Sequence, residues 1–168
     1  QTCALPIFAL WLRRQALRDL VEFHVQEGTH GLVPCGTTGE SATLSHEEHE
    51  RVISIVVEQA NKRLKVIGGA GSNSTEEAVR LHRHCASTGA DGALHITPYY
   101  NKPNQTGLFQ HFSKVANEVA IDQILYNVPS RTGCDLKNDT VLKLSEITNI
   151  VGIKDATGDL TRGIDLIK

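Results

Sequence analysis

Lys154, Tyr126 and Arg131 are the residues of this 168-residue chain whose types and settings could do chemistry. Lys154 stands in NIVGIKDAT, residues 149–157, where Ile150, Val151 and Ile153 form a short β-branched apolar run with Gly152 inside it. Such a run has the pattern of a strand buried on both faces of a parallel sheet. A lysine at the end of a buried strand is costly, because its ammonium group must give up hydration. Two arrangements justify that cost. One is an ion pair, for which Asp155 or Asp159 could serve; the other is an amine kept neutral, a nucleophile able to form a Schiff base with a carbonyl substrate. By strand alternation Lys154 shares a face with Gly152 and Ile150, and Gly152 leaves room there. From this segment alone the ion pair is the commoner cause. Upstream, residues 123–133 read QILYNVPSRTG, a second apolar strand at Ile124, Leu125 and Tyr126 ending in a polar turn. Lysine, tyrosine and arginine at the ends of successive strands would bring together an amine, a proton donor and a carboxylate clamp.

Longer motifs point to the amine. YNVPSRTG followed by GIKDATGDLTR, with CGTTGESATLSHEEH and TPYYNKP upstream, resembles the dihydrodipicolinate synthase family of pyruvate-dependent Schiff-base aldolases, over residues 15–168 and in the family's order. The resemblance implies that Lys154 attacks the ketone of pyruvate, and that the resulting enamine attacks the aldehyde of L-aspartate-4-semialdehyde. This is the first committed step of diaminopimelate and lysine biosynthesis. No metal or organic cofactor is implied, because the iminium is itself the electron sink. Tyr126, Thr37 and Tyr100 match a proton-relay triad, Tyr100 acting in the site of a neighbouring subunit. Thr38 matches the position that binds the pyruvate carboxylate, and Arg131 the clamp for the semialdehyde carboxylate, which a planar guanidinium can hold with two hydrogen bonds. The lysine-sensitive members bind L-lysine as an inhibitor at a dimer interface, and Ser41, Ala42, His46, His49, Asn73, Glu77 and Tyr99 match that site. A homo-oligomer, a dimer of dimers, is implied as well. Each residue has a plainer reading: a core tyrosine ring, a turn threonine, a solvated loop arginine, surface histidines. Sibling aldolases such as N-acetylneuraminate lyase or a keto-deoxy sugar acid aldolase are the nearest alternative, and the SRTG turn containing Arg131 speaks against them. A non-catalytic homologue would be expected to have lost Lys154 or Tyr126, and both are present.

Composition narrows the partners. The formal net charge is −2 and no basic stripe is present, so nucleic acid is not expected. No apolar run is long enough to cross a bilayer, and membrane association is not expected. Cys3, Cys35, Cys85 and Cys134 are scattered without a CxxC pair, which indicates neither a disulfide framework nor zinc and fits reduced thiols in a cytoplasm. His46 and His49 are three apart, not the four of HExxH, and no metal site is expected. The glycine-rich run Gly69 to Ser74 lacks the third glycine of a dinucleotide fingerprint and the lysine of a P-loop. Cys35 and Cys134 adjoin the site loops, with no role that their chemistry suggests.

The elements that must position these residues alternate regularly. Leu17, Leu20, Val21, His24 and Val25 mark an amphipathic helix closed by Gly28. Strands follow at residues 31–35, 65–70, 92–97, 124–126 and 150–154. Helices are expected from the capping box Ser45/Glu48, from a second box Ser74/Glu77, over 107–119 and near 139–146. Strand ends recur about every thirty residues, the length of a βα unit, so the sheet is parallel. Periodicity leaves an open doubly wound sheet and a (β/α)8 barrel both possible; the resemblance and the reactive residues at C-terminal strand ends favour the barrel. A barrel needs about 250 residues. The five recognisable strands, the absence of methionine and the initial glutamine are therefore expected to belong to a fragment that lacks the first strand and the last two. Residues 1–7 match nothing in the family and are expected to be a foreign tail, read through from a sequencing-library adapter; residues 8–14 show no opening strand.

Overall fold

Strands that each feed an apolar-striped helix pack side by side and parallel, and the chain follows that rule. The computed structural model describes the backbone of residues 2–4 and all of residues 14–167. Among the described residues six strands occur: β1 (Thr2–Ala4), β2 (Gly31–Val33), β3 (Lys65–Gly69), β4 (Gly92–Ile96), β5 (Gln123–Asn127) and β6 (Ile150–Asp155). Their order in the sheet is β1-β2-β3-β4-β5-β6, and the β1/β2, β2/β3 and β5/β6 pairings are parallel. A doubly wound sheet reverses its strand order partway. This one never does, which makes it a singly wound, partial (β/α)8 barrel. Between and after the strands lie α1 (Arg14–Gln26), α2 (His46–Ala60), α3 (Thr75–Thr88), α4 (Gln105–Glu118), the single turn α5 (Pro129–Thr132), α6 (Asn138–Ser145) and α7 (Leu160–Ile167). Among the described residues no helix is long and apolar enough to cross a membrane.

One strand was not expected. Thr2–Ala4 pairs with Gly31–Val33, although three residues of mixed polarity carry no strand pattern. Residues 8–13, where the sequence shows no opening strand, lie outside the described residues.

The chain forms two compact units. The first comprises Gln1–Gly69 and His84–Ala93. Its core is built by Leu17 and Val21 from α1, Leu32 from β2, Val52, Ile53 and Val56 from α2, and Cys85. Ser45 and Glu48 form the expected reciprocal capping box at the start of α2. Arg18 of α1 reaches Glu58 and Gln59 of α2 at 2.9 and 3.0 Å, tying the two helices together. Gly69 is required by close approach: a Cβ there would lie 2.0 Å from the carbonyl oxygen of Cys35.

The second unit comprises Ala70–Arg83 and Leu94–Lys168. Leu108, Phe112, Leu125, Leu136, Leu144 and Ile150 are its core. Asn104 caps α4, accepting from the Gly107 N–H at 2.9 Å, so that helix begins two residues before its expected start. The expected Ser74/Glu77 box is rerouted. Ser74 Oγ accepts from the Glu77 N–H at 3.4 Å, but the Ser74 N–H donates to Ser72 Oγ at 3.0 Å, and Ser72 Oγ in turn donates to the Glu77 carboxylate. Three buried histidines meet in the same unit. His95 Nε2 lies 3.0 Å from His82 Nδ1, and His111 Nδ1 lies 2.9 Å from Thr75 Oγ1.

Strand β6 departs from the expectation of burial on both faces. Ile150 is buried, whereas Val151, Gly152, Lys154 and Asp155 are exposed. The cause is position: β6 is the last strand in the order, with β5 as its only neighbour among the described residues.

Candidate active site

Parallel pairing sets β5 and β6 in a register that aligns Tyr126 with Lys154 and Asn127 with Asp155. Alternation then sorts the four side chains by face. On one face the Lys154 amine stands 4.4 Å from the centroid of the Tyr126 ring, and that ring is buried. Neither carboxylate proposed as an ion-pair partner takes the amine. Asp155 is engaged by Asn127, Thr157 and Arg162, and Asp159 by Thr161. Among the described residues the aromatic ring is the contact that Lys154 makes, a cation–π arrangement in its protonated form.

On the other face Asn127 and Asp155 belong to a polar network that the sequence did not announce. Asn127 Nδ2 donates to Asp135 at 2.9 Å and to Asp155 at 3.2 Å, while Asn127 Oδ1 accepts the Leu136 N–H at 3.0 Å. Arg162 Nη1 donates to both oxygens of Asp135 at 2.9 Å, and Nη2 donates to the Leu136 carbonyl at 2.6 Å. Burial alone would raise the Asp155 carboxyl. Hydrogen bonds from Thr157 and Asn127, with the Arg162 charge, outweigh it and hold that carboxyl below the ordinary range.

Around Tyr126 the backbone is fixed by a second set of bonds. The Thr97 N–H donates to the Tyr126 carbonyl at 2.9 Å, and Thr97 Oγ1 donates to Thr132 Oγ1 at 3.2 Å. Both threonines are buried. The Thr132 carbonyl accepts from the Tyr100 N–H at 3.4 Å, so one residue ties the loop carrying Tyr100 to the turn carrying Arg131. Tyr100 has a φ of 73°, in the left-handed region, and is 88 % exposed. Arg131 lies in α5, a helical turn instead of an irregular loop, and is exposed.

Thr37 and Thr38 lie in the first unit, in the turn after β2. The Gly39 N–H donates to the Gly36 carbonyl at 3.0 Å and the Glu40 N–H to the Thr37 carbonyl at 3.1 Å; Thr37 is half-buried and Thr38 exposed. Cys35, at the same strand end, has a left-handed φ of 55° and donates through Sγ to the His49 carbonyl at 3.5 Å. Burial pushes the Cys35 thiol well up, which keeps it protonated and removes it as a nucleophile.

The residues matched to an inhibitor site fall into two groups. In the first unit Ser41 and Ala42 form a 3-10 turn, exposed His46 opens α2, and His49, one turn on, is buried. The histidines therefore differ in accessibility. In the second unit Asn73 Nδ2 donates to the Tyr99 carbonyl at 3.2 Å, with Glu77 in the first turn of α3. Among the described residues no group of three histidine, cysteine or acidic side chains is arranged to hold a metal ion.

Comparison with known proteins follows this geometry. The model of the dihydrodipicolinate synthetase family matches residues 11–168. The 4-hydroxy-tetrahydrodipicolinate synthase of Geotalea uraniireducens (strain Rf4) is 59 % identical over 153 residues, covering 91 % of this chain and 53 % of the relative. A crystal structure of the chloride-inhibited dihydrodipicolinate synthase from Acinetobacter baumannii, complexed with pyruvate, superposes with a TM-score of 0.90 at 55 % identity, covering 92 % of this chain and 53 % of that one. The enzyme from Cyanidioschyzon merolae with lysine bound superposes with a TM-score of 0.93 at 37 % identity, covering 99 % and 58 %. The chain spans about half the length of the curated relatives it matches. With the family's pattern running through nearly all of it, from before α1 to its last residue, the chain belongs to the dihydrodipicolinate synthetase family.

Proposed function

We propose that the protein carrying this chain condenses pyruvate with L-aspartate-4-semialdehyde to 4-hydroxy-tetrahydrodipicolinate through a Schiff base on Lys154. The observation that carries the reading is the Lys154 amine, paired with no carboxylate among the described residues and set against the ring of Tyr126 at the ends of adjacent strands. The names of the relatives and the pyruvate held by the Acinetobacter structure support it.

In this reading the neutral Lys154 amine adds to C2 of pyruvate, and the carbinolamine loses water to give the iminium. Loss of a methyl proton yields the enamine, whose carbon attacks the aldehyde and leaves an alkoxide that is protonated. The product's own amine then displaces Lys154 as the ring closes. Each step moves a proton, which is the work assigned to Tyr126, Thr37 and Tyr100. The scheme needs no metal or organic cofactor, since the iminium accepts the electrons. Thr38 and its neighbouring amides bind the pyruvate carboxylate, and Arg131 clamps the semialdehyde. The exposed, backbone-strained Tyr100 fits a ring that is buried only against a second copy of the chain, hence a homo-oligomer. L-Lysine is the inhibitor proposed for Ser41, Ala42, His46, His49, Asn73, Glu77 and Tyr99, supported by the lysine in the Cyanidioschyzon structure. Cys35, Cys85 and Cys134 are free thiols, which fits a cytoplasmic setting.

The test is reductive trapping. The full-length protein with pyruvate and borohydride is expected to carry its adduct on Lys154, and Lys154→Arg is expected to lose adduct and turnover together, because a guanidinium stays protonated. An adduct on another residue overturns the assignment. Turnover with N-acetylmannosamine in place of the semialdehyde would move the protein to a sibling activity.

A further inference from the structure

We infer that Arg162 is a positioning residue for Lys154, acting through Asp155 and Asp135 on the opposite face of β6; the inference rests on the Schiff-base reading for its consequence in catalysis. Asp155 directly follows Lys154, and Asn127 directly follows Tyr126. The two strands are therefore joined behind the reactive pair by the 3.2 Å bond from Asn127 to Asp155, with the Ala156 N–H donating to the Asn127 carbonyl at 2.8 Å. That junction carries an electrostatic problem. Asn127 Nδ2 is shared by two carboxylates, Asp135 and Asp155, whose like charges would push the β6 end away from β5.

Arg162 resolves it. Its guanidinium bonds both oxygens of Asp135, while Nε faces Asp155 at 3.8 Å, an ion pair without a hydrogen bond. The guanidinium is largely shielded from solvent, with the side chain 18 % exposed, so its charge is only partly screened. Helix α7 has no fully buried residue: Leu160, Ile164 and Ile167 are exposed, and Leu166 packs half-buried against the core. Beside that one apolar contact Arg162 anchors the helix through its charge. It is the group through which α7 grips the loops after β5 and β6, reinforced by Asn138 Nδ2 donating to the Arg162 carbonyl at 3.2 Å. With the guanidinium gone, the end of β6 is free to shift, and the Lys154 amine leaves the Tyr126 ring.

The test reads position and reaction separately. In the chain itself, a lysine methylene held over a tyrosine ring has its proton resonance moved upfield, and the Lys154 signal is assigned by its loss in Lys154→Arg. Arg162→Gln is expected to lose at least half of that displacement while the cooperative melting transition is kept. Arg162→Lys, which restores a charge between the carboxylates, is expected to recover part of it. In the full-length protein Arg162→Gln is expected to slow reductive trapping of pyruvate at Lys154 on the order of tenfold, with a smaller effect on the pyruvate KM. An unmoved Lys154 resonance in Arg162→Gln overturns the inference. Should that variant fail to fold, Asp135→Asn replaces it, with the same displacement expected and an unmoved resonance again decisive against it. Wild-type protein that forms no adduct at Lys154 removes the Schiff-base reading, and the resonance alone still decides whether Arg162 positions the lysine.

Discussion

The three buried histidines make the second unit sensitive to mild acid. His82 and His95 are fully buried and His111 nearly so, and among the described residues His95 Nδ1 and His111 Nε2 have no hydrogen-bond partner. Charging such a ring places an unanswered N–H and a net charge in the core. Burial lowers His82 to about 4 and His111 to about 4. His95 is pushed well down by burial and by the two neighbouring rings. In the unfolded chain each imidazole titrates near 6.5. Below that pH the unfolded state takes up protons that the folded state refuses, so stability falls as pH drops from about 6.5 toward about 4; the loss from His82 and His111 levels off beneath, while that from His95 continues. The interval is roughly two and a half units, and at about 1.4 kcal/mol per unit His82 and His111 each cost about 3 kcal/mol by its end. That is a large share of the roughly 5–15 kcal/mol that holds a domain folded.

The assay is urea unfolding of the chain in steps from about pH 7.5 to about pH 4, beside His111→Gln. The wild type is expected to lose stability through the window with a slope approaching three protons, and the variant, whatever its starting stability, is expected to lose about one proton of slope. Carboxylates do not imitate this above about pH 5: Glu22, held at about 2 by Arg63 and Gln59, begins to lose its contribution only near its ordinary 4.5. Asp91, Asp155 and Asp159 are held below their ordinary range, so their contribution is present above about pH 4 and lost only beneath it. Stability that stays flat between about pH 6.5 and about pH 5, or a slope unchanged by His111→Gln, would refute the reasoning.

Three further outcomes follow from local geometry. Gly69→Ala is expected to cost at least about 3 kcal/mol in denaturant unfolding, because its Cβ would meet the Cys35 main chain at 2.0 Å, whereas Gly152→Ala meets nothing within 4 Å and should be close to neutral. Ser45→Ala removes half of a formed capping box and is expected to cost about 1 kcal/mol by the same measurement. Millimolar L-lysine is expected to slow the full-length protein in an initial-rate assay, and Glu77→Ala to weaken that inhibition; equal inhibition of both forms would remove Glu77 from the inhibitor site.

What the sequence made readable was whatever is encoded locally. The box at Ser45 depends on two residues three apart, and it formed as written. The box at Ser74 has the same spacing, yet Ser72 intervened, because a hydroxyl two residues upstream offered both groups a better-placed partner. Alternating strands and helices carried the barrel's parallel order, and YNVPSRTG with GIKDATGDLTR marked Tyr126 and Lys154, which the β5/β6 register then aligned. Contacts made across the fold left no such trace. His82, His95 and His111 come from three separate elements at spacings that match no motif, so only packing reveals that they share a core. Arg162 closes on Asp135 from 27 residues away, and nothing in GDLTR says that its guanidinium turns inward. Strand β6 shows the same limit from the other side. Ile150, Val151 and Ile153 record what the strand is suited to pack against, while exposure depends on which neighbours the chain supplies. Val151 is 54 % exposed because no described strand lies beyond it. The lysine expected in a buried setting therefore stands at an open edge, and its environment is set by what remains within reach: the Tyr126 ring in front and the Asp155–Arg162–Asp135 junction behind.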